Sequence, residues 1–365
     1  MEKQERIYSL NFLKFMAMLM IVWWHFGAPT NMIDWGARMC EFLFVSSGFL
    51  VGYNYYYRSM ESTWTQSCDY THKKARTIFP LHIITTILIL LICFDQYILG
   101  FKLSDIPILL SNLFLLQAWS PDVTNVCCSY NGHTWFLSAL LFCYFVTPFI
   151  IKAIKNKKFA IFMFFAVAIL RFGIEFATRS GVEIFSIRVH TSPIIRLMEY
   201  FMGMLMVPLF MAFKDKTKEI KNKVYFKLIW TIVEAALITL LILLMYWFNK
   251  TWLRAYYVYI FCIFVFFIAQ DYGYFSKFCS FKCISYICQF QLEVYMFQNI
   301  AGKVTTKLVA WFSISYVWLW VLIFLTLLFG LAILYRLFIE EKLAKVMDKL
   351  YAKAKSIFMP PPQKS

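Results

Sequence analysis

A lysine, a histidine and a glutamate interrupt the first long runs of apolar residues in this sequence. Lys14 lies early in the first run, His25 lies eleven positions later at its end, and Glu41 lies early in the next run. A charged group in apolar surroundings is costly unless it is paired or reaches water, so each is a candidate functional residue. A histidine with carboxylates nearby suits removal of a proton from a hydroxyl group. We therefore predict that His25 and Glu41 are catalytic; the alternative is that His25 only faces the edge of the apolar layer.

Further charged residues stand in pairs at helical spacing within later apolar runs. Arg171 and Glu175 are four positions apart, which places them on one face of a helix, and Arg196 and Glu199 open another run. Together with Trp135, at the start of a third run, these residues are predicted to bind a polar substrate. A purely structural ion pair is the alternative for Arg171 and Glu175.

A separate group of basic residues precedes the third apolar run. Arg58, Lys74 and Arg76 form a cluster of cations that suits the phosphates of an anionic ligand. The alternative is that these residues only fix the orientation of the chain in a membrane.

The elements that must position these residues are membrane helices. The chain has 365 residues, of which 61% are hydrophobic and 15% are charged, whereas soluble domains are about 45–50% apolar and about 25% charged. Runs of about 20 apolar residues predict membrane-spanning helices, and residues 228–248 and 316–334 are examples. Lipid cannot hydrogen-bond the backbone, and the alternation typical of a barrel is absent. The sequence therefore predicts an all-α, polytopic membrane helix bundle.

Eleven apolar blocks are found along the chain. They cover residues 10–27, 40–57, 78–99, 105–119, 135–152, 158–176, 194–212, 226–248, 254–270, 284–301 and 315–338. The fourth block is short and contains Pro107 and Asn112. We predict that it is a re-entrant or interfacial segment and that the other ten blocks cross the membrane.

Lysine and arginine decide between ten and eleven crossings. With ten crossings, the segments 58–77, 153–157, 213–225 and 271–283 lie on one side of the membrane with both termini, and residues 120–134, which contain no Lys or Arg, lie on the other. With eleven crossings, the uncharged stretch would be cytoplasmic and every later lysine-rich loop would be outside. The excess of Lys and Arg in cytoplasmic loops rejects this, so the chain is predicted to lie in the cell membrane with both termini cytoplasmic.

Charge and cysteine content argue against several other classes of protein. The net charge is +16, but the basic residues cluster in short loops between apolar blocks, so no nucleic-acid partner is expected. The ten cysteines show neither metal-ligand spacing nor a disulfide framework, and no metal is expected. Cys127 and Cys128, which are adjacent in a loop, are expected either to form no disulfide or to have a structural role. The first block lacks a cleavage site typical of signal peptides, and no appended soluble domain is expected.

The sequence predicts one membrane domain, residues 1–339, followed by a basic tail, residues 340–365. Apolar residues in the tail recur at helical spacing among many lysines, for example Leu343, Val346 and Leu350. This pattern predicts an amphipathic helix on anionic lipid at the cytoplasmic surface. The last residues, 359–365, are expected to be disordered.

Three segments near the N-terminus carry a recognisable pattern. Residues 10–14 (LNFLK) lead to His25, residues 41–50 (EFLFVSSGFL) end in Ser-Gly-Phe-Leu, and residues 73–82 (KKARTIFPLH) join basic residues to a proline. They resemble the motifs of the integral-membrane acyltransferase family 3, whose members acylate cell-surface polysaccharides and similar acceptors. Weaker similarities, in the family's order, extend the resemblance over most of the chain.

This chain departs from the family pattern at three positions. The family typically has Asp in place of Asn11 and Arg in place of Lys14, and often has Arg in place of Thr77. Lysine keeps the charge of arginine but lacks the planar fork that binds a phosphate or carboxylate through two hydrogen bonds.

The resemblance implies an O-acetyltransferase with acetyl-coenzyme A as donor and a surface or lipid-linked carbohydrate as acceptor. His25 is then expected to deprotonate the acceptor hydroxyl, while Glu41 orients His25 or helps to bind the acceptor. The residues expected to contact the coenzyme are Lys14, Ser46, Ser47, Arg58, Lys74 and Arg76. The two serines, beside Gly48, are expected to let this ligand approach a helix closely.

Two other functions fit the same topology. A transporter or flippase for a lipid-linked or small anionic substrate would also use ion pairs within the membrane, although no pairing between the two halves of the sequence indicates inverted repeats. A non-catalytic membrane scaffold is the third alternative. Thioester consumption that depends on an added glycan would favour the enzyme.

Overall fold

The computed structural model describes residues 5–26, 35–182, 189–248 and 255–358. Within these ranges the regular elements are all helical and no strand occurs, as the sequence predicts. All ten cysteines lie in these ranges, and no disulfide is described among them.

Fifteen α-helices are described along the chain. They are α1 (Tyr8–Phe26), α2 (Trp35–Tyr55), α3 (Trp64–Ile92), α4 (Ile106–Leu113), α5 (Trp135–Ile150), α6 (Lys157–Arg179), α7 (Pro193–Leu205), α8 (Val207–Lys216), α9 (Val224–Phe248), α10 (Tyr257–Ile268), α11 (Tyr274–Cys279), α12 (Lys282–Ile287), α13 (Gln291–Trp311), α14 (Val317–Phe338) and α15 (Glu340–Phe358).

The chain forms two compact units, each built from two stretches of sequence. The first unit comprises residues 1–60 and 149–291, and the second comprises residues 61–148 and 292–365. Helix α14 ends at Phe338 and α15 begins at Glu340; the division into a membrane domain, residues 1–339, and a tail stays a prediction.

Seven helical stretches in the described ranges are long and apolar enough to cross a bilayer. They are Tyr8–Phe26, Trp64–Ile92, Gly132–Lys155, Lys157–Arg179, Pro193–Lys216, Val224–Trp247 and Val317–Phe338. The protein is therefore a multi-pass helical bundle.

The other three predicted crossings correspond to α2, α10 and α13. Helices α2 and α13 have 21 residues each, enough to span, but they carry more polar side chains. Helix α10 has 12 residues, about 18 Å of helix, against a hydrocarbon layer of about 30 Å; residues 249–254, which precede it, lie outside the described ranges. The count of ten crossings stays a prediction.

The prediction of a basic loop over residues 58–77 is wrong beyond Thr63, because α3 already begins at Trp64. The Thr63 hydroxyl accepts a hydrogen bond of 3.2 Å from the backbone N–H of Gln66 and so caps the helix. Threonine followed three residues later by glutamine is a known start signal for a helix. Lys74 and Arg76 are therefore helical residues.

The apolar block 284–301 is also not one helix. Helix α12 ends at Ile287, a short turn follows, and α13 runs from Gln291 to Trp311. The second half of α13 contains Lys303 and Lys307, so its hydropathy falls although the helix continues.

Several segments predicted to be cytoplasmic meet at one end of the first unit. The Asp271 carboxylate accepts hydrogen bonds from the backbone N–H groups at the start of α1, at 2.7 Å from Tyr8. The Lys214 ammonium lies 3.5 Å from Glu5 and 5.7 Å from the ring centroid of Tyr53, near the end of α2. The N-terminus, the end of α2 and the two later loops thus share one end, as the charge pattern predicts.

Lys155 lies at this same end of the first unit, and its position bears on whether the short fourth block crosses the membrane. Its ammonium group donates to the backbone carbonyls that end α2, including that of Arg58 at 2.8 Å. Because residues 58 and 155 lie at the same end, the chain between them crosses an even number of times, which α3 and α5 supply. Helix α4, with eight residues, spans only about 12 Å. These facts agree with a fourth block that does not cross.

Glycines allow α2 and α7 to pack with their backbones in contact. A Cβ atom on Gly48 would collide with the carbonyl of Tyr200, and one on Gly203 would collide with the carbonyl of Val45. Small residues permit such close approach in membrane helix pairs. The expectation that Gly48 leaves room for a ligand is therefore corrected, because α7 fills that space.

Replacing Gly48 with alanine should destabilise the protein, because its methyl group meets backbone rather than a movable side chain. Overpacking of this kind costs about 1–3 kcal/mol. We expect the melting temperature of the purified protein in detergent to fall.

Gly173→Ala in α6 is the matched control, since open space surrounds that position. Equal melting temperatures for the two variants would contradict the close packing of α2 on α7.

Candidate active site

His25 lies in the last turn of α1, and its side chain is exposed. The Nδ1 atom is 2.9 Å from the carbonyl oxygen of Ile21, and the imidazole contacts the Trp24 ring with centroids 4.4 Å apart. Because a carbonyl only accepts, Nδ1 carries the proton and donates, and in the neutral ring the lone pair is then on Nε2. This tautomer is the one that a base acting through Nε2 requires.

Lys14 and Ser47, both predicted to contact the donor, are brought together. The Lys14 ammonium donates to the Ser47 hydroxyl at 3.1 Å and joins α1 to α2. On α1 the Lys14 position is eleven residues from His25, which is about 16 Å along a helix. Ser46, by contrast, is fully buried and donates to the carbonyl of Leu43 in its own helix at 3.2 Å.

Glu41 is 2% exposed, and one of its oxygens accepts a hydrogen bond from Arg38, three residues earlier on α2. The sequence-based prediction did not include Arg38, although the spacing of three from a carboxylate could have identified it. The second oxygen, Oε2, has no hydrogen-bond partner among the described residues. A buried acceptor without a partner is costly, so this oxygen is suited to receive a ligand hydroxyl.

The four other predicted charges form a buried network between α6 and α7. Arg171 donates to Glu175 within α6 and to Glu199 of α7, the latter at 3.0 Å. Arg196 donates to Glu199 at 2.5 Å. Arg171, Arg196 and Glu199 are all 1% exposed or less. The ion pair of Arg171 with Glu175, given above as the alternative to substrate binding, is present, and the structure adds the link between helices.

Three further residues complete this network. Arg179 donates to Glu175 at 2.6 Å from the last turn of α6. Arg196 also donates to the backbone carbonyl of His190 at 2.8 Å, and Glu41 interacts electrostatically with Arg171 and Arg196. The contact with His190 depends on the folding of the chain before α7 and has no signal in the sequence.

One predicted residue of the first unit remains, Arg58, which lies near Lys155 just after the end of α2. Arg58 is exposed, and its guanidinium lies 6.0 Å from the ring centroid of Tyr55.

The second unit contains Lys74, Arg76 and Trp135. The Lys74 ammonium lies over two aromatic rings, 5.7 Å from the centroid of Tyr70 and 5.5 Å from that of Tyr144. Trp135 is 6% exposed and begins α5.

Arg76 is paired with the C-terminal helix. It donates to Asp348 of α15 at 2.9 Å, and His72 contacts the other oxygen of Asp348 at 2.9 Å. At the far end of α15, Lys355 donates to Asp69 at 2.6 Å. The predicted tail helix is thus confirmed as a helix, and it packs on α3. Residues 359–365, expected to be disordered, lie outside the described ranges.

Among the described residues, no group of three or more His, Cys, Asp or Glu side chains is arranged to hold a metal ion.

A family model described as an acyltransferase domain matches residues 7–336. Because this match covers nearly the whole chain, the protein belongs to the acyltransferase family 3 of membrane proteins, as the N-terminal motifs predict. No curated protein and no solved structure matches the chain. The protein is therefore a multi-pass membrane acyltransferase.

Replacing Arg171 with methionine should be strongly destabilising, because it leaves buried carboxylates without their partner. Breaking a buried ion pair from one side costs about 3–5 kcal/mol. We expect a large loss of folded protein in size-exclusion chromatography and a lower melting temperature.

Lys345→Met is the control, since Lys345 pairs at the surface with Glu341 at 2.7 Å. Exposed pairs contribute at most about 1 kcal/mol. If both variants were equally stable, the network of α6 and α7 would not be a stabilising element.

Proposed function

We propose that the protein transfers an acyl group, acetyl in the first instance, from acyl-coenzyme A to a hydroxyl group of a cell-surface or lipid-linked carbohydrate. Membership of the acyltransferase family provides the reaction class. The observation that supports the assignment of sites is the arrangement of α1. Lys14 lies in the N-terminal half of this helix and donates a hydrogen bond to Ser47, and His25 lies in its last turn. The extended arm of a coenzyme matches their separation.

His25 is the proposed general base. Its Nε2 accepts the proton of the acceptor hydroxyl while the hydroxyl oxygen attacks the thioester carbonyl. The bond from that carbonyl carbon to sulfur then breaks, coenzyme A leaves as its thiolate, and the new ester is released. The hydrogen bond from Nδ1 to Ile21 holds the ring in the tautomer that this step needs.

Glu41 is proposed to bind the acceptor. Its oxygen Oε2 lacks a partner among the described residues, whereas the other oxygen is held by Arg38. A sugar hydroxyl that donates to Oε2 would satisfy it and would be oriented by it.

The charges of α6 and α7 are proposed to act on substrate mainly through Glu41. Arg171, Glu175, Arg196 and Glu199 are bonded to one another, which leaves them less able to bind a sugar directly. Arg171 and Arg196 attract the Glu41 carboxylate, whereas Glu199 repels it. Trp135, in the second unit, keeps its proposed role as an aromatic surface for the sugar.

The phosphates of the donor are proposed to bind Lys74, Arg76 and Arg58 at the cytoplasmic face of the cell membrane, with both termini on that side. Ser47 is proposed to contact the pantetheine arm together with Lys14. Ser46 hydrogen-bonds within α2, and its proposed role is limited to being a small side chain beside this contact.

Replacing His25 with alanine should abolish acyl transfer. General-base catalysis contributes about 10²–10⁴-fold in rate, so we expect a loss of at least about 100-fold. The measurement follows label from [¹⁴C]acetyl-coenzyme A into glycan in vesicles that contain purified protein.

The same vesicles distinguish enzyme from transporter. The His25→Ala protein should keep the amount and melting temperature of the wild type. Full activity of this variant would remove His25 from the mechanism, and movement of glycan across the vesicle without label incorporation would favour a transporter.

Asp348→Asn should strengthen the binding of acetyl-coenzyme A, because it frees Arg76 from its carboxylate partner. Conversely, Lys74→Ala combined with Arg76→Ala should weaken it. Isothermal titration calorimetry of the purified proteins measures both changes.

Glu341→Gln is the control for Asp348→Asn, because it removes an exposed charge elsewhere on α15. Unchanged affinity in all these variants would show that α3 does not hold the phosphates, while the role of His25 would be unaffected.

A further inference from the structure

A cavity of about 670 Å³ lies in the first unit, away from the residues assigned to acyl transfer. Its walls come from the segment before α1, from the end of α8 with the start of α9, and from residues 270–280 around α11. None of the residues predicted for donor, acceptor or catalysis is among its described lining residues. Its volume is within the range of about 300–1,000 Å³ that small-molecule sites occupy.

Basic side chains dominate the charge of this cavity. Two carboxylates, Glu5 and Asp271, also line it. The cations that line it are Arg6, Lys214, Lys221, Lys227 and Lys277.

Both carboxylates already have partners. Glu5 lies 3.5 Å from Lys214. Asp271 accepts from the backbone N–H groups of Tyr8 at 2.7 Å and Ser9 at 3.2 Å, so its charge offsets the positive end of α1. Burial raises the pKa of the Asp271 carboxyl.

Apart from Lys214, the cations that line the cavity form no ion pair with a described carboxylate. Within the described part of the chain, no ion pair involves Arg6, Lys221, Lys227 or Lys277. Four like charges around one cavity repel one another, and a ligand with a phosphate group would relieve that repulsion.

Exposed apolar side chains of α9 and α11 either line the cavity, as Val224 and Tyr274 do, or lie one turn further along the same helix, as Leu228 and Phe278 do. Val224 and Leu228 in the first turns of α9 are 66% and 50% exposed, and Tyr274 and Phe278 of α11 are 42% and 48% exposed. Val224 also begins a stretch that is apolar enough to span a membrane. A soluble phosphate ester has no apolar part to contact this surface, whereas the acyl chains of a lipid would cover it.

We propose that this cavity binds the phosphate headgroup of an anionic membrane phospholipid, whose acyl chains lie along the exposed apolar surface of α9. The site is distinct from the proposed donor and acceptor sites and does not depend on the reaction. Basic pockets next to membrane helices on the cytoplasmic side recognise such headgroups.

The test uses purified full-length protein in a neutral detergent, titrated with dioctanoyl-phosphatidylglycerol and followed by microscale thermophoresis. Dioctanoyl-phosphatidylcholine and glycerol 3-phosphate are titrated in parallel. We expect the phosphatidylglycerol to bind at least tenfold more tightly than either. Lys221→Gln combined with Lys227→Gln should weaken it about 25-fold, since each cation near an anionic lipid is equivalent to roughly a fivefold change in affinity.

Lys349→Gln combined with Lys353→Gln is the matched control, because it removes two exposed charges from α15. An equal loss in this control would show diffuse attraction to the basic surface and would overturn the proposal. Glycerol 3-phosphate that binds as tightly as the lipid would assign the cavity to a soluble phosphate ester instead. A loss of acetyl-coenzyme A binding in Lys221→Gln with Lys227→Gln would assign it to the donor.

Lys277→Gln, which changes one exposed side chain of α11, covers the case in which the double variant fails to fold. We expect it to weaken phosphatidylglycerol binding about fivefold with an unchanged melting temperature. Undiminished binding in folded Lys277→Gln and in the folded double variant would exclude this cavity.

Discussion

Charges buried among apolar helices must neutralise one another, and in the first unit this requirement connects α2, α6 and α7. Arg171 is the central residue, because it joins Glu175 of its own helix to Glu199 of the next. Neither carboxylate can leave without exposing the guanidinium to apolar surroundings, and the reverse is equally true. The network therefore sets the register of α6 against α7, and it sets the electrostatic field at Glu41.

That field has a definite sign. Four arginines, Arg38, Arg171, Arg179 and Arg196, face three glutamates, Glu41, Glu175 and Glu199. With all seven groups ionised, one positive charge is in excess. The close packing of α2 on α7 at Gly48 and Gly203 keeps these groups within reach of one another. The backbone contact holds α7 against α2, and the ion pairs hold α7 against α6.

Much of the fold could be predicted from the sequence, because lipid imposes simple rules. Length and hydropathy gave the helical class, and the lysine distribution gave the shared end of the basic segments. The start of α3 was missed because the crossing was assigned from the apolar block alone, which begins at residue 78, and not from the capping signal of Thr63 and Gln66. The second half of α13 was missed for a related reason, since a helix can continue after its apolar character ends.

The candidate site was predictable where it depends on local spacing and not where it depends on distant contacts. The pairs Arg171 with Glu175 and Arg196 with Glu199 follow from helical periodicity, and Arg38 could have been found in the same way. The partner of Arg76, however, is Asp348, some 270 positions away, and the sequence carries no sign of it. Likewise, a glycine in a membrane helix does not reveal whether a ligand or another helix approaches it.

The capping of α1 by Asp271 has a consequence for how the protein is made. Ser9 and Asp271 are 262 residues apart in sequence. At a synthesis rate of about 5–20 residues per second, the first helix would wait roughly 13–50 s for the carboxylate that completes its N-terminus. The end of α2 waits in the same way for Lys155. The helix that carries His25 is thus among the first to be synthesised and among the last to have its N-terminus capped, so a chain that stops before Asp271 lacks this cap.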